Sequence, residues 1–123
     1  MDKKNSYELI SYIKYSIYLI EERFDSISTS SDFLSDNLGV EKLDSISMRL
    51  QSIGEAIKNI LKNDSTLLTQ FAQKSYWSDI VRFRDIISHH YIDIDSEVVF
   101  DICDEDLREL KELIINIEKS LKS

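Results

Sequence analysis

The chain has 123 residues and a formal charge of −8, and apolar residues make up 42% of it. This balance excludes a wholly disordered chain, and the length suits a single domain, which we place at residues 1–123. Proline is absent and glycine occurs only twice, so the composition predicts an all-helical protein. The negative charge works against non-specific attraction to nucleic acid, so any such contact would depend on a local cluster of positive groups.

The first apolar stripe has steps of three and four residues and predicts a long amphipathic helix over roughly residues 6–27. The polar run from Ser28 to Asp32 ends it, because these side chains compete for backbone hydrogen bonds. Asn37-Leu38-Gly39 predicts a second break. Between the two breaks we expect a short turn of helix that carries Phe33.

A second stripe, from Leu43 to Ile60, predicts a helix that ends at Asn63. Gly54 lies in its middle and costs about 1 kcal/mol relative to alanine. We interpret this glycine as the mark of another helix in close approach, with simple tolerance as the alternative. A short segment capped by Asp64 or Ser65 follows.

Two further main helices complete the predicted fold. The third runs from about Tyr76 into the histidines, and the last begins at a cap, Asp95 or Ser96, and continues past an acidic interruption at 104–106. Four main helices with short loops favour an antiparallel four-helix bundle with short additional helices. The long stripes would also suit a helical interaction module, since spacing alone does not separate a core from a partner surface.

The sequence also predicts where the protein resides. The lone Cys103 cannot form an internal disulfide, and no basic and then apolar leader opens the chain, so we expect a cytoplasmic protein. The apolar stretch from Tyr7 to Ile20 is interrupted by polar residues, which argues against a membrane protein.

Residues 82–93 gather the chemistry, since both histidines lie there beside arginines and a tyrosine. On a straight helix Arg84 and His89 would stand about 140° apart, too far to serve one substrate easily. Either the helix ends just before His89, or a two-fold dimer brings Arg84 of one subunit towards His89 of the other, and we favour the dimer. Asp85, four residues before His89, could accept a hydrogen bond from the imidazole and fix its tautomer.

An imidazole and a guanidinium are sufficient for one reaction on RNA. The imidazole can remove a proton from a ribose 2'-hydroxyl or protonate a leaving 5'-oxygen, and the guanidinium can stabilise the charge of the transition state. The reaction requires a 2'-hydroxyl, which makes RNA and not DNA the substrate. Lys74, Arg82 and Arg84 would form the positive patch, although Arg82 could instead pair with Asp85. The alternative is that the His-His-Tyr group only caps or packs the helix end.

Metal and cofactor chemistry finds no support in the pattern. His89 and His90 are adjacent and so point to different faces, and no Cys pair or His-x-x-x-His spacing completes a site. We therefore predict neither a metal nor a cofactor.

The pattern of Arg84, four residues, His89, one residue and Tyr91 resembles the R-x-x-x-x-H-x-Y signature of the HEPN superfamily, in particular its HepT-like toxins. The Ile53-Gly54-Glu55-Ala56 stretch looks like the I-G-E-A of these proteins, and Trp77 lies where they often have a tryptophan. The resemblance implies a HEPN fold, a homodimer and a metal-independent ribonuclease that is the toxin of a type VII-like toxin-antitoxin pair. Arg84 and His89 would be its catalytic pair.

The resemblance also implies a partner, a minimal nucleotidyltransferase antitoxin that transfers AMP to Tyr91. An added phosphodiester would place negative charge and bulk beside the arginine that receives the RNA phosphate. The residue between His and Tyr is commonly small in these proteins but is His90 here, which opens a second register for the catalytic imidazole. The substrate would be tRNA or mRNA. The alternative function is a non-catalytic dimeric binding subunit of the nucleotidyltransferase, which the acidic charge favours.

Overall fold

The computed structural model describes the backbone of residues 3–90 and 93–123 and the side chains of residues 5–87 and 94–123. Its helices, in chain order, are α1 (Lys3–Phe24), a 3-10 helix (Ser30–Leu34), α2 (Asn37–Asn63), α3 (Ser65–Thr69), α4 (Lys74–Val81), α5 (Phe83–Ile87), α6 (Ser96–Asp101), a π-helical segment (Ile102–Asp106) and α7 (Leu107–Lys122). Two short strands, β1 (Ser88–His90) and β2 (Asp93–Ile94), pair antiparallel between α5 and α6. The predicted helical bundle is confirmed, and the small hairpin is an addition to it.

Helix α2 is the centre of the bundle. It packs against α1 on one side and against α4 and α5 on another, while α7 covers α1. The predicted stripes are buried: Ile13, Ile53 and Ile114 are among the fully covered side chains. Each such side chain stabilises the fold by about 1.5–3 kcal/mol, so the stripes are core and not an exposed partner surface. Among the described helices, none combines the length and apolar character that a bilayer crossing requires.

The start of α2 differs from the prediction. Asn37-Leu38-Gly39 is not a break but the first turn of the helix, because the Asp36 carboxylate accepts a hydrogen bond from the Gly39 backbone N–H at 2.7 Å. A Cβ on Gly39 would lie 2.4 Å from the Asp32 backbone oxygen. Glycine is therefore present for close packing against the 3-10 helix and not to end a helix. That 3-10 helix is the predicted short turn, and its Phe33 is buried.

The C-terminal helices begin as predicted but continue differently. The Asp95 carboxylate caps α6 by accepting hydrogen bonds from the backbone N–H groups of Glu97 and Val98, each at 3.1 Å. The acidic residues 104–106 do not interrupt the helix. They belong to the π-helical segment, in which the Leu107 N–H donates to the Ile102 carbonyl five residues earlier.

Candidate active site

The chain turns at Arg82, between α4 and α5. Arg82 has φ −81° and ψ 4°, and its carbonyl accepts hydrogen bonds from the backbone N–H groups of Asp85 at 2.9 Å and Ile86 at 3.2 Å. The predicted single helix from Tyr76 to the histidines is therefore wrong. It is two short helices, and the second ends at Ile87, directly before β1.

The end of α5 at Ile87, and not the break at Arg82, changes the geometry of the predicted catalytic pair. The 140° separation of Arg84 and His89 applied to one straight helix, and His89 lies instead in β1. The first of the two predicted alternatives, a helix that ends before His89, is confirmed, and the dimer stays a prediction. The four-residue spacing from Asp85 no longer places the two residues on one helix face.

Helix α5 is anchored by its apolar residues and exposes its charged ones. Phe83 and Ile87, four residues apart, are buried, whereas Arg84 and Asp85 are exposed. Ile86, the apolar residue between Phe83 and Ile87, is 44% exposed. Within the described part of the chain the Arg84 side chain makes no ion pair or hydrogen bond, so its guanidinium is free to meet an anion.

The other predicted cations are arranged differently. The Arg82 side chain pairs with Asp79, one turn earlier on α4, and not with Asp85. Both partners are largely exposed, so the pair is screened and weak. Lys74 is exposed at the start of α4, and at 1.5 Å rise per residue it stands about 12 Å along the axis from Arg82. These three cations therefore extend along α4 and α5, and Asp79, which the sequence reading missed, partly neutralises one of them.

The predicted histidines lie in the hairpin that follows α5. Ser88 is opposite Ile94 and His90 is opposite Asp93, so His89 is the extra residue of a β-bulge in β1. Bulges are common next to active sites, where they redirect a side chain. The side chains of His89 and His90, and all of Tyr91, lie outside the described residues.

Asp95 fixes the far end of this hairpin. Its backbone N–H donates to the Ile87 carbonyl at 2.7 Å, and its carboxylate caps α6. The end of α5 and the start of α6 are thus joined through one residue. This holds the ends of the histidine-bearing segment in place.

Two residues beneath the site explain features that the sequence had singled out. Trp77 is fully buried, and its indole N–H donates to the carbonyls of Leu68 at 2.9 Å and Ala72 at 3.2 Å, which fixes α4 on α3 and the turn after it. Gly54 lets α2 approach the end of α4, since a Cβ there would lie 3.0 Å from the Ile80 carbonyl oxygen. The predicted close approach at Gly54 is confirmed, and it occurs directly before Arg82.

The single cysteine is not a candidate nucleophile. Burial raises the pKa of the Cys103 thiol to about 12, which keeps it protonated and unreactive at neutral pH. Among the described residues, no group of three potential ligands could hold a metal ion.

The helical bundle and the exposed arginine that precedes the two histidines fit a HEPN-type protein. Comparison with known families agrees, since residues 13–117 match the family model described as ribonuclease HepT-like. The chain belongs to the HepT-like ribonuclease family.

Two curated relatives come from Methanocaldococcus jannaschii. One, provisionally named an RNase, is 29% identical over 106 residues, which is 81% of this chain and 84% of the relative. The other, named a gamma-glutamylcyclotransferase and, provisionally, an RNase, is 30% identical over 115 residues. That alignment covers 91% of this chain and 47% of the relative, so the chain spans about half of its length. No solved structure matches the chain.

Proposed function

We propose that this protein is a metal-independent endoribonuclease, the toxin of a toxin-antitoxin pair, with Arg84 and His89 as its catalytic residues. The observation that carries the proposal is the exposed Arg84 guanidinium, which has no ion pair or hydrogen bond among the described residues and lies inside the segment that matches the ribonuclease family. A guanidinium that is not already paired can bind a phosphate through two hydrogen bonds.

The proposed reaction is a transesterification within the RNA strand. His89 removes the proton from a ribose 2'-hydroxyl, and the 2'-oxygen forms a bond to the adjacent phosphorus. The bond from phosphorus to the 5'-oxygen breaks, and that oxygen takes up the proton from the imidazolium. Arg84 stabilises the negative charge that develops on the phosphoryl oxygens. The products are a 2',3'-cyclic phosphate and a 5'-hydroxyl, and the substrate is tRNA or mRNA.

Control of this activity is proposed to lie at Tyr91. A minimal nucleotidyltransferase antitoxin would transfer AMP to its hydroxyl, and the added negative phosphodiester would compete with RNA for Arg84. We further propose a homodimer.

The test compares purified wild type with Arg84→Ala and His89→Ala on tRNA and total RNA, with and without EDTA. We expect cleavage by the wild type in both conditions, with cyclic phosphate ends, and none by either variant. Arg108→Ala is the matched control, because Arg108 is another exposed arginine but lies on α7. Since Arg84 is exposed and unpaired within the described chain, its removal should leave the melting temperature unchanged. Equal cleavage by wild type and both variants would overturn the proposal.

The second candidate is a non-catalytic dimeric subunit that binds the nucleotidyltransferase. The charge of −8 favours it, because a net negative protein repels RNA at long range. This candidate predicts a stable complex with the nucleotidyltransferase and no cleavage by the free wild type. Mass spectrometry of the co-expressed pair tests the modification, and an unmodified Tyr91 in a neutralised complex would count against AMP transfer.

A further inference from the structure

A second cationic surface lies on the other side of α2 and was not singled out by the sequence. Tyr12 and Tyr15 project from α1, and the Arg49 guanidinium from α2 lies 5.8 Å from the centroid of the first ring and 5.7 Å from that of the second. Both distances are within the range of a cation–π interaction. We name these three residues the tyrosine–arginine platform.

The arginine of the platform is held in place by neutral groups. One guanidinium nitrogen donates to the Ser16 hydroxyl at 3.3 Å and, more weakly, to the Tyr12 hydroxyl at 3.5 Å. Ser16 is fully buried, so this side of the guanidinium is fixed against the protein. Arg49 therefore loses little side-chain freedom when a ligand binds to it.

The charge of Arg49 is not compensated locally. Lys14, Lys111 and Arg82 each pair with a carboxylate, whereas Arg49 has no carboxylate partner among the described residues. In a chain whose formal charge is −8, such uncompensated cations are the places where a phosphate can be received. Tyr12 and Tyr15, which are 39% and 55% exposed, offer aromatic surface beside this charge.

Aromatic rings next to an arginine are the chemistry by which proteins hold single-stranded nucleic acid. Bases stack on the rings whatever their sequence, and the guanidinium adds cation–π attraction and a phosphate contact. Met48, the neighbour of Arg49 in the sequence, is a further apolar side chain on α2 and is 67% exposed. Tyr, Met and Arg are also enriched in protein interfaces, so a protein partner is the competing occupant.

The charge of the platform favours RNA, because an arginine without a carboxylate partner can bind a phosphate. Arg49 precedes Gly54 by five residues on α2, which is about 7.5 Å along the helix axis, and Gly54 touches the carbonyls at the end of α4. The platform and the α4–α5 turn thus lie on different sides of α2. An RNA that contacts both would have to pass around α2 and the helices packed on it.

We propose that the tyrosine–arginine platform binds single-stranded RNA by stacking bases on Tyr12 and Tyr15 and pairing a phosphate with Arg49. The proposal rests on the proposed ribonuclease function, since it assigns the platform to a part of the RNA substrate away from the cleaved bond. It also accounts for RNA binding by so acidic a chain, because a local site replaces global attraction.

The test measures fluorescence anisotropy with a labelled single-stranded 2'-O-methyl RNA, which cannot be cleaved by 2'-hydroxyl attack. Tyr15→Ala should weaken binding by about 5- to 150-fold, the range found when a stacking residue is removed. Arg49→Gln should also weaken binding, because it removes the cation that pairs with a phosphate. Tyr15→Phe keeps the ring and should retain wild-type affinity. Tyr18→Ala is the matched control, because Tyr18 is an equally exposed tyrosine on α1 that bonds Glu22 and not Arg49.

Each outcome bears on the proposal. Equal affinities of Tyr15→Ala and Tyr18→Ala would overturn it, and a smaller mass in solution for Tyr15→Ala than for wild type would assign the surface to a protein interface instead. Because the probe is not cleaved, binding is measured independently of catalysis. If the wild type does not cleave RNA but binds it through the platform, the ribonuclease proposal is refuted and the platform proposal stands. If the wild type cleaves RNA and both platform variants bind as tightly as the wild type, only the platform proposal is refuted.

Discussion

Replacement of Gly54 by alanine tests whether the approach of α2 to the end of α4 constrains the site. The new Cβ would lie 3.0 Å from the Ile80 carbonyl oxygen and 3.2 Å from that of Val81, whereas ordinary contacts begin near 3.4 Å. The two helices must therefore separate by a few tenths of an ångström, and both obstacles are backbone atoms that no side-chain rotation can move.

Two opposing terms decide the size of the effect. Alanine in a helix interior is favoured over glycine by about 1 kcal/mol. Overpacking of a tight contact costs about 1–3 kcal/mol. We expect the steric cost to prevail, with a net loss of about 1 kcal/mol in the free energy of unfolding. RNA cleavage should fall as well, because the displaced carbonyls immediately precede Arg82.

The assay is urea denaturation followed by circular dichroism, with cleavage measured on the same preparations. Gly39→Ala provides a comparison, since its Cβ would lie only 2.4 Å from a backbone oxygen, and it should be the more damaging of the two. Asn59→Ala, at an exposed position of the same helix, controls for the general effect of alanine. The reasoning is refuted if Gly54→Ala is about 1 kcal/mol more stable than the wild type, because helix propensity would then outweigh contact.

Two further predictions concern side chains that hold the bundle together. Trp77→Phe removes the N–H donor that two backbone carbonyls share. It should lower the free energy of unfolding, measured by urea denaturation, by about 1–3 kcal/mol. Tyr76→Phe should cost far less, because the Tyr76 hydroxyl has no hydrogen bond in the described chain. A hydrogen bond from Lys14 lowers the pKa of Glu118 below its ordinary value of 4.5. Folding therefore favours the ionised carboxylate, and this stabilisation is present above the ordinary pKa and lost as pH falls through the lowered one. Glu118→Gln should be less stable than the wild type at neutral pH, and the difference should close as the pH falls below 4.5 and through the lowered pKa. A difference that persists in strong acid would contradict this account.

The sequence predicted those parts of the fold that depend on spacing. The apolar stripes of α1, α2 and α7 follow the helical period, and burial follows from it. The rarity of glycine likewise made Gly54 informative, because a residue unfavourable in a helix is retained where a neighbour leaves no room for a Cβ.

The break at Arg82 could not be read from the sequence. No glycine or proline lies near it, and the local residues suit a helix. At Asn37-Leu38-Gly39 the error was the opposite one, because a break was predicted where the helix begins. Gly39 donates its backbone N–H to the capping Asp36 and packs closely against the 3-10 helix. In both places tertiary packing overrides local preference, and the candidate site lies at one of them.

The tyrosine–arginine platform was missed for a different reason. Tyr12 and Tyr15 are three residues apart on the solvent side of α1, a spacing visible in the sequence. Their meaning depends on Arg49, which is more than thirty residues away and reaches them only because α1 packs on α2. A pattern within one helix could not indicate that contact.

The π-helical segment lets one continuous helix serve two neighbours. A π turn takes one residue more than an α turn, so the side chains after it are rotated relative to those before it. Before the segment α6 packs on the 3-10 helix, and after it α7 packs on α1. The five residues of this segment thus redirect the side chains that follow, as a loop would, while the backbone hydrogen bonding continues. The acidic side chains at 104–106 are exposed to solvent without interrupting the helix.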